Sequence, residues 1–523
     1  MDHMEIILFG LLAAVAALSG LARWLGVPYP IALVVGGAAL GFLPGTPDVE
    51  LDPDLVLLLF LPPLLLNAAY FSSLRDLRAN LRPIVLSAVG LVLATMCLVA
   101  LAVHAVVPEL PWAAAFALGA IVAPTDPLAA STIARQLGVP RRLVAVVEGE
   151  SLINDGTALV AYRTAVAAAV GGTFDLMDAS VDFVVDVAGG IAVGVVVGWI
   201  LLRLMKLVFA DVLIGVTLSL WAGYAAYLPA EAAGVSGVLA TVAAGLVIGR
   251  RGHEIGSSAN RLSSYAFWEV LVFLLNAVLF VLVGLQLPGI LEDQERSAGT
   301  LLALGALASA AVIGARLLWI NTTPYVIRAL DRRESQRARR VGWRQRQVSA
   351  WSGMRGSVSL AAALALPLGF PERDLLIFLA FSVIFATLVL QGLTLPWVIR
   401  RLDVHDDGRG AKEELKARKA AASAAVVRLR ELGDEEWTRD DTVERMIGLY
   451  EFRGRRLAQR AGRPMDGDDN PEERSVAYQR VVREVIEAQR REVIRLRDEG
   501  TISDDVMHAL ERELDLEDTR LEI

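Results

Sequence analysis

The residues able to do chemistry are concentrated between Glu148 and Gly156. There Glu148, Glu150, Ser151, Asn154 and Asp155 interrupt an apolar segment that runs from about 143 to 170. An ionisable residue at the centre of a membrane-spanning helix costs at least ~2.5 kcal/mol, so it survives mainly where it lines an ion path or meets a partner. On a helix, Ser151 and Asp155 share a face, as do Glu150 and Asn154, and the two faces lie about 100° apart. Asp155 then points towards a site with Ser151 beneath it, while Glu150 looks towards a neighbouring helix. Oxygen ligands suit a hard cation such as Na+, and Thr125, Asp126, Ser151 and Asp155 can supply them. A carboxylate that holds a proton or a cation, but not readily both, is the minimum machinery for exchanging one for the other.

Other charges carry two readings each. Arg355 lies inside a second apolar segment and needs a carboxylate there; Glu150 is the first candidate, and the pair could equally serve only to hold the fold. Glu269 and Arg316 either pair with each other or tune the site. Arg163, two turns past Asp155, suits an outer vestibule or simple snorkelling and pairing. His104 is either a pH sensor or a solvated histidine.

The elements that position these residues are membrane helices. With 523 residues, 55% of them hydrophobic, and a mean hydropathy of +0.50, the chain is too apolar for a soluble protein. Its net charge of −8 falls mostly after Arg400, where 24 basic residues face 31 acidic ones. Cys97 is the single cysteine, which excludes disulfides within the chain and argues against a metal cluster. Asp2 and Glu5 stand where a cleaved signal would carry basic residues, so the first helix is expected to remain.

Thirteen candidate spans follow in order: about 4–22, 28–44, 54–71, 83–107, 111–134, 143–170, 182–205, 211–228, 232–249, 264–287, 299–325, 348–369 and 374–399. Loop charge tests the count. One set of loops holds Arg23, Arg75, Arg78, Arg82, Arg135, Arg141, Arg142, Arg203, Lys206, Arg250, Arg251, Arg261, a cluster from Arg328 to Arg346, and Arg400 with Arg401. The opposite set is acidic: Asp48, Glu50, Asp52, Asp54, Glu109, Asp175, Asp178, Asp182, Glu231, Glu292, Asp293, Glu295, Glu372 and Asp374, with Arg296 and Arg373 as its only basic residues. By the positive-inside rule the N-terminus is external and the tail cytoplasmic.

Thirteen spans divide into six, a linker and six, which places the second six in the opposite orientation, as in an inverted repeat. Span five then corresponds to span twelve, and both are interrupted. Ala123-Pro124-Thr125-Asp126-Pro127 breaks the first and Gly353-Met354-Arg355-Gly356 the second. The prolines remove backbone donors, and the glycines let the backbone unwind. Paired discontinuous helices point to an ion site near the bilayer midplane. The fold expected is an all-α polytopic membrane protein of about 13 transmembrane helices in two inverted six-helix repeats, with two crossed discontinuous helices and a helical cytoplasmic tail.

The runs Ala-Pro-Thr-Asp-Pro at 123–127, Gly-Glu-Ser-Leu-Ile-Asn-Asp-Gly at 149–156 and Gly-Met-Arg-Gly at 353–356 resemble the bacterial branch of the sodium/proton exchanger family of monovalent cation:proton antiporters. Leu61-Pro62-Pro63, Phe267-Trp268-Glu269, Asn276 and Gly284 are similar to that family as well, and the resemblance covers about residues 5–400. It implies a homodimer in the cell membrane, with a transmembrane domain over 1–401. A core of helices at about 83–170 and 299–399 moves, elevator-like, against dimerisation helices at about 4–71 and 182–287. Carried over by motif, Asp155 alternates between proton and cation, Asp126, Thr125 and Ser151 assist binding, Asn154 holds the broken helices and Glu150 pairs with Arg355. Asn154-Asp155, in place of two aspartates, resembles the electroneutral branch. Asn67 departs from the many relatives that carry an acid after the two prolines.

Residues 402–523 form the tail. Residues 411–432 are rich in Ala, Lys, Glu and Arg, and Tyr478, Val482, Val485, Val493 and Leu496 fall near one helical face. The stretch from Arg463 to Pro471 reads as a linker, and Thr501-Ile502-Ser503-Asp504 as a helix start. This tail is either regulatory or solubilising, with its partner unspecified. No nucleotide-binding loop is present, no cofactor is called for and nothing points to nucleic acid, leaving lipid as the surroundings and Na+, Li+ or K+ with H+ as cargo. A potassium/proton exchanger is the near alternative. An intramembrane aspartyl protease using Asp126 and Asp155 is the distant one, and Asn154 stands in the wrong place for it. A channel would require rings of carbonyls or charges.

Overall fold

The computed structural model describes residues 3–44, 53–171, 176–208, 211–252, 258–292, 296–330, 341–406, 408–460 and 471–521. Among these no strand occurs. The acidic loop residues Asp48, Glu50, Asp52, Asp175, Asp293 and Glu295 lie outside the described residues. So do the middle of the basic cluster, 331–340, and the tail linker over 461–470.

Contacts divide the chain into two units, Met1–Asp406 and Asp407–Ile523. The first begins with α1 (His3–Leu25), α2 (Tyr29–Gly41), α3 (Pro53–Phe71) and the short α4 (Leu74–Ala79). There follow α5 (Leu81–Val106), α6 (Trp112–Val122), α7 (Pro127–Gln136) and α8 (Arg141–Gly171). Next come α9 (Leu176–Val208), α10 (Val212–Ala232), α11 (Gly237–Arg251), α12 (Ser258–Leu285) and α13 (Leu287–Glu292). The unit closes with α14 (Ala298–Leu330), α15 (Trp343–Trp351), α16 (Ser357–Leu364) and α17 (Arg373–Arg401). Every apolar segment of the sequence coincides with helix. Among the described residues seven helical stretches are long and apolar enough to cross a membrane unaided, and three shorter apolar helices, Phe9–Leu25, Tyr29–Gly41 and Leu57–Phe71, accompany them.

The two interruptions appear as helix breaks. Chain direction resumes as helix at Pro127, whose missing N–H costs nothing at the first helical position, and Asp126 caps that helix. The second broken element is shorter than expected: α16 stops at Leu364, because the residue before Pro367 is driven out of helical geometry. α17 contains a π turn over Thr387–Gln391.

Two apolar clusters account for much of the helix packing. The largest apolar cluster joins Leu118, Ile121, Ile133, Ala362, Leu376 and Val383 of α6, α7, α16 and α17 to Leu33 and Val34 of α2 and Phe280 and Val281 of α12. A second joins Leu66, Leu201, Ala222, Ile248 and Trp268 of α3, α9, α10, α11 and α12. Small residues let backbones touch: a Cβ on Gly37 would strike the carbonyl of Val281, and one on Gly284 the backbone of α2, so α2 and α12 pack without intervening side chains.

The second unit contains α18 (Arg409–Gly433), α19 (Asp440–Arg460), α20 (Pro471–Asp498) and α21 (Asp504–Leu521). Ser503 caps α21 by accepting from the Val506 N–H at 3.3 Å. On α20 the buried position is Ile486, while Val485 and Tyr478, expected on the inner face, are exposed. Val482, Val493 and Leu496, also expected there, are half-buried, so the inner face runs through Val482, Ile486, Val493 and Leu496.

Candidate cation and proton site

The two helix breaks meet. The Asp126 N–H donates to the carbonyl of Met354 at 2.8 Å, tying the first break to the second through backbone alone. Asp126 also accepts from the Leu128 N–H at 2.9 Å, the capping bond of α7. Its carboxylate lies directly against Gly356, the N-cap of α16, where any Cβ would collide with it. One carboxylate thus sits at the N-termini of two helices, where their dipoles favour negative charge.

Arg355 occupies the opposite ends. Its Nε donates to the carbonyl of Val122, last residue of α6, at 3.0 Å, and its Nη1 donates to the carbonyl of Gly353 just beyond α15. Cations are favoured at helix C-termini, where carbonyls lack helical partners. The Arg355 N–H donates to Thr387 Oγ1 at 3.1 Å, so the π turn of α17 pins the second break.

α8 runs past this crossing and supplies the remaining residues. Ser151 Oγ donates to the carbonyl of Thr125 at 2.5 Å, and Asn154 Nδ2 donates to Thr125 Oγ1 at 2.9 Å. Asp155 is 8% exposed, and its carboxylate accepts no hydrogen bond from any described residue. It faces a cavity of about 460 Å³ that Thr125, Asp126 and Ser151 also line. The cavity extends to Arg135 and Glu148, which pair at 2.6 Å at its mouth, on the side of the basic loops. Asn67, Asn276 and Ser359 are among its other polar lining residues, with Ser72, Ser131 and Thr132.

The anticipated Glu150–Arg355 pair is not formed. Glu150, 1% exposed, pairs with Arg316 of α14, which is fully buried and also donates from Nε and Nη2 to the carbonyl of Ser349, at 3.2 and 3.1 Å. Glu150 does look away from the Asp155 face, as helical spacing requires, but the neighbour it reaches is α14. Arg355 finds carbonyls of unwound backbone instead. A lone arginine in the apolar run of α14 was the available signal for Arg316; its partner depended on which helix lies beside α8. Gly353 separates the two guanidinium groups, and a Cβ there would meet Arg316 Nε at 2.6 Å and Arg355 Nη1 at 3.0 Å. Glu269 is not a partner of Arg316: it is exposed on α12, beside Tyr29 and Trp268. Arg163 pairs with Glu231 of α10 at 2.6 Å. His104 meets the carbonyl of Leu110 at 2.8 Å and stacks on Trp112 with ring centroids 4.0 Å apart. Thr387 was not singled out by sequence, because an isolated threonine in an apolar helix carries no motif.

Two broken helices crossing beside a carboxylate-lined cavity within a helical membrane protein define a secondary transporter of small cations, not an enzyme. The chain belongs to the sodium/hydrogen exchanger family, whose transmembrane model matches residues 10–401, and it is a multi-pass membrane protein and a Na+/H+ antiporter of that family. It is 37% identical to an uncharacterised Na+/H+ exchanger of Mycobacterium tuberculosis, over 99% of this chain and 96% of the relative. It is 34% identical to the Na+/H+ antiporter ApNhaP of Aphanothece halophytica, over 77% of this chain and 75% of the relative. A sodium, potassium, lithium and rubidium/H+ antiporter of Bacillus pumilus is 33% identical, over 76% and 62%. In fold, the chain is similar to the sodium proton antiporter MjNhaP1 of Methanocaldococcus jannaschii, with a TM-score of 0.59 and 20% identity over 77% of this chain and 99% of that one. The aspartyl-protease alternative falls with this membership, and the capping bond of Asp126 fits a structural carboxylate better than half of a catalytic dyad.

Proposed function

We propose that Asp155 is the carrier group of the antiport, binding either a proton or a monovalent cation, with Asp126, Thr125 and Ser151 completing the cation site. The observation carrying this reading is the Asp155 carboxylate, buried beside the cavity with no hydrogen bond from any described residue to hold it, while Asp126, Ser151 and Asn154 are engaged in the helix crossing. Asp126 is committed to two helix N-termini and Asn154 to Thr125, so Asp155 is free to change ligand without unfolding the crossing. One titrating carboxylate beside an asparagine supports exchange of one proton per cation.

The chain crosses the plasma membrane thirteen times, as two inverted six-helix repeats, with an external N-terminus, and the cavity faces the cytoplasm. Membership of the exchanger family supports a core that moves, elevator-like, against helices that form a homodimer. Na+ is the proposed cargo, with Li+. K+ is a second reading, favoured by the similarity to the B. pumilus protein, whose name includes potassium.

The test is cation-induced dissipation of a pH gradient in proteoliposomes, comparing Na+, Li+ and K+ for the wild type and Asp155→Asn. Cation-dependent proton movement that vanishes in the variant supports the assignment. Exchange that persists in Asp155→Asn would remove Asp155 from the central role.

A further inference from the structure

The cavity has one polar wall to which no role has yet been given. Ser359 is the third residue of α16, the helix that resumes after the second break. It is 1% exposed, it lines the same cavity as Asp126, Ser151 and Asp155, and its Oγ has no hydrogen-bond partner among the described residues. Buried hydroxyls almost always find a partner. Ser309 and Ser352 find one along their own helix, donating to the carbonyls of Gly305 and Val348, both at 2.7 Å; the hydroxyls of Ser19 and Thr95 are unpartnered like that of Ser359, but neither lines this cavity. Ser359 lacks that option because the residue four before it is Arg355, in unwound backbone. The hydroxyl is left facing the cavity, with lone pairs suited to a hard cation or to water that the ion carries.

We propose that Ser359 Oγ is a further ligand of the transported cation, directly or through one water, supplied by the second broken helix. The inference rests on the reading of this cavity as the cation site. The bound ion would then be held from α8, from the first break and from α16 at once. The positive end of α16 does not oppose this, because the Asp126 carboxylate lies against its N-cap and offsets it.

The experiment uses the full chain with its one cysteine removed by Cys97→Ala. Ser359→Ala is expected to raise the Na+ concentration for half-maximal antiport about five- to tenfold while leaving the maximal rate within about twofold, and Ser359→Thr, which keeps the hydroxyl, to restore it. In Ser359→Cys, a small methanethiosulfonate reagent should label the thiol, and Na+ or Li+ should slow the labelling over the range that drives transport. An unchanged half-maximal Na+ concentration in Ser359→Ala overturns the proposal, as does a Ser359→Cys thiol that is unreactive or that Na+ fails to protect. Failure of the underlying site reading is seen separately, as cation-coupled proton movement surviving in Asp155→Asn.

Discussion

Asp126 and Arg355 sit at opposite poles of one crossing: the carboxylate lies at the N-termini of α7 and α16, and the guanidinium bonds carbonyls at the ends of α6 and α15. Each neutralises two helix ends that would otherwise leave unpaired donors or acceptors far from water. Charge and cap can be separated at Asp126. Asp126→Asn keeps an oxygen for the Leu128 N–H, whereas Asp126→Ala removes it. Thermal unfolding in detergent should show Asp126→Ala less stable than Asp126→Asn by ~1 kcal/mol. Both variants should transport poorly, and equal stability of the two would remove the capping role.

Gly356 must lack a side chain because the Asp126 carboxylate fills that space. Gly356→Ala is expected to reduce antiport at least about tenfold, since a displaced ligand or positioning group commonly costs that much. Gly369→Ala, where a Cβ meets nothing within 4 Å, serves as the matched control and should leave transport unchanged.

The Glu150–Arg316 pair is buried on both sides. Removing one partner leaves an uncompensated charge, so Glu150→Gln should cost about 3–5 kcal/mol of stability, and Glu150→Gln with Arg316→Gln should recover much of it. Melting midpoints of the two singles and the double give the coupling directly. If Glu150 instead served Arg355, the double variant would be no better than the single.

Arg163 on α8 reaches Glu231 on α10 across the boundary along which the proposed elevator moves. The pair is partly exposed, so it contributes only ~0.2–1 kcal/mol. Arg163→Gln and Glu231→Gln should therefore change transport rate by about fivefold at most, and the exchange Arg163→Glu with Glu231→Arg should restore it. Rates measured at low and high salt should converge as screening weakens the pair.

In the tail, a hydrogen bond from Arg495 holds the Glu492 carboxyl below its ordinary value. Hydrogen bonds to Asp515 and Glu492 push Arg490 and Arg495 upwards. A lowered carboxyl value stabilises the fold above the unfolded value, and that contribution is lost as pH falls through the folded one. The raised guanidinium values contribute at every pH the protein survives. Acid alone should therefore loosen α20, and limited proteolysis of the full chain should cut this helix faster as pH drops below the carboxylate range. Faster cutting on the alkaline side would contradict the assignment.

Much was legible in the chain itself. The apolar runs and the signs of the charges between them predict where helices lie, because a spanning segment must satisfy its own backbone in lipid. Proline, glycine and capping chemistry are local, so the breaks at 123–127 and 353–356 and the shared face of Ser151 and Asp155 are determined by spacing. Pairing across the fold is different. Whether Glu150 meets Arg355 or Arg316 depends on which helix packs beside α8, and that follows from the close fit of many small residues, which no single stretch encodes. Nor could sequence reveal that Ser359 is left without a carbonyl to bond, that Thr387 holds Arg355, or that Asp126 serves two helices. Such facts arise only when segments some 230 residues apart, such as Val122 and Arg355, are brought to hydrogen-bonding distance.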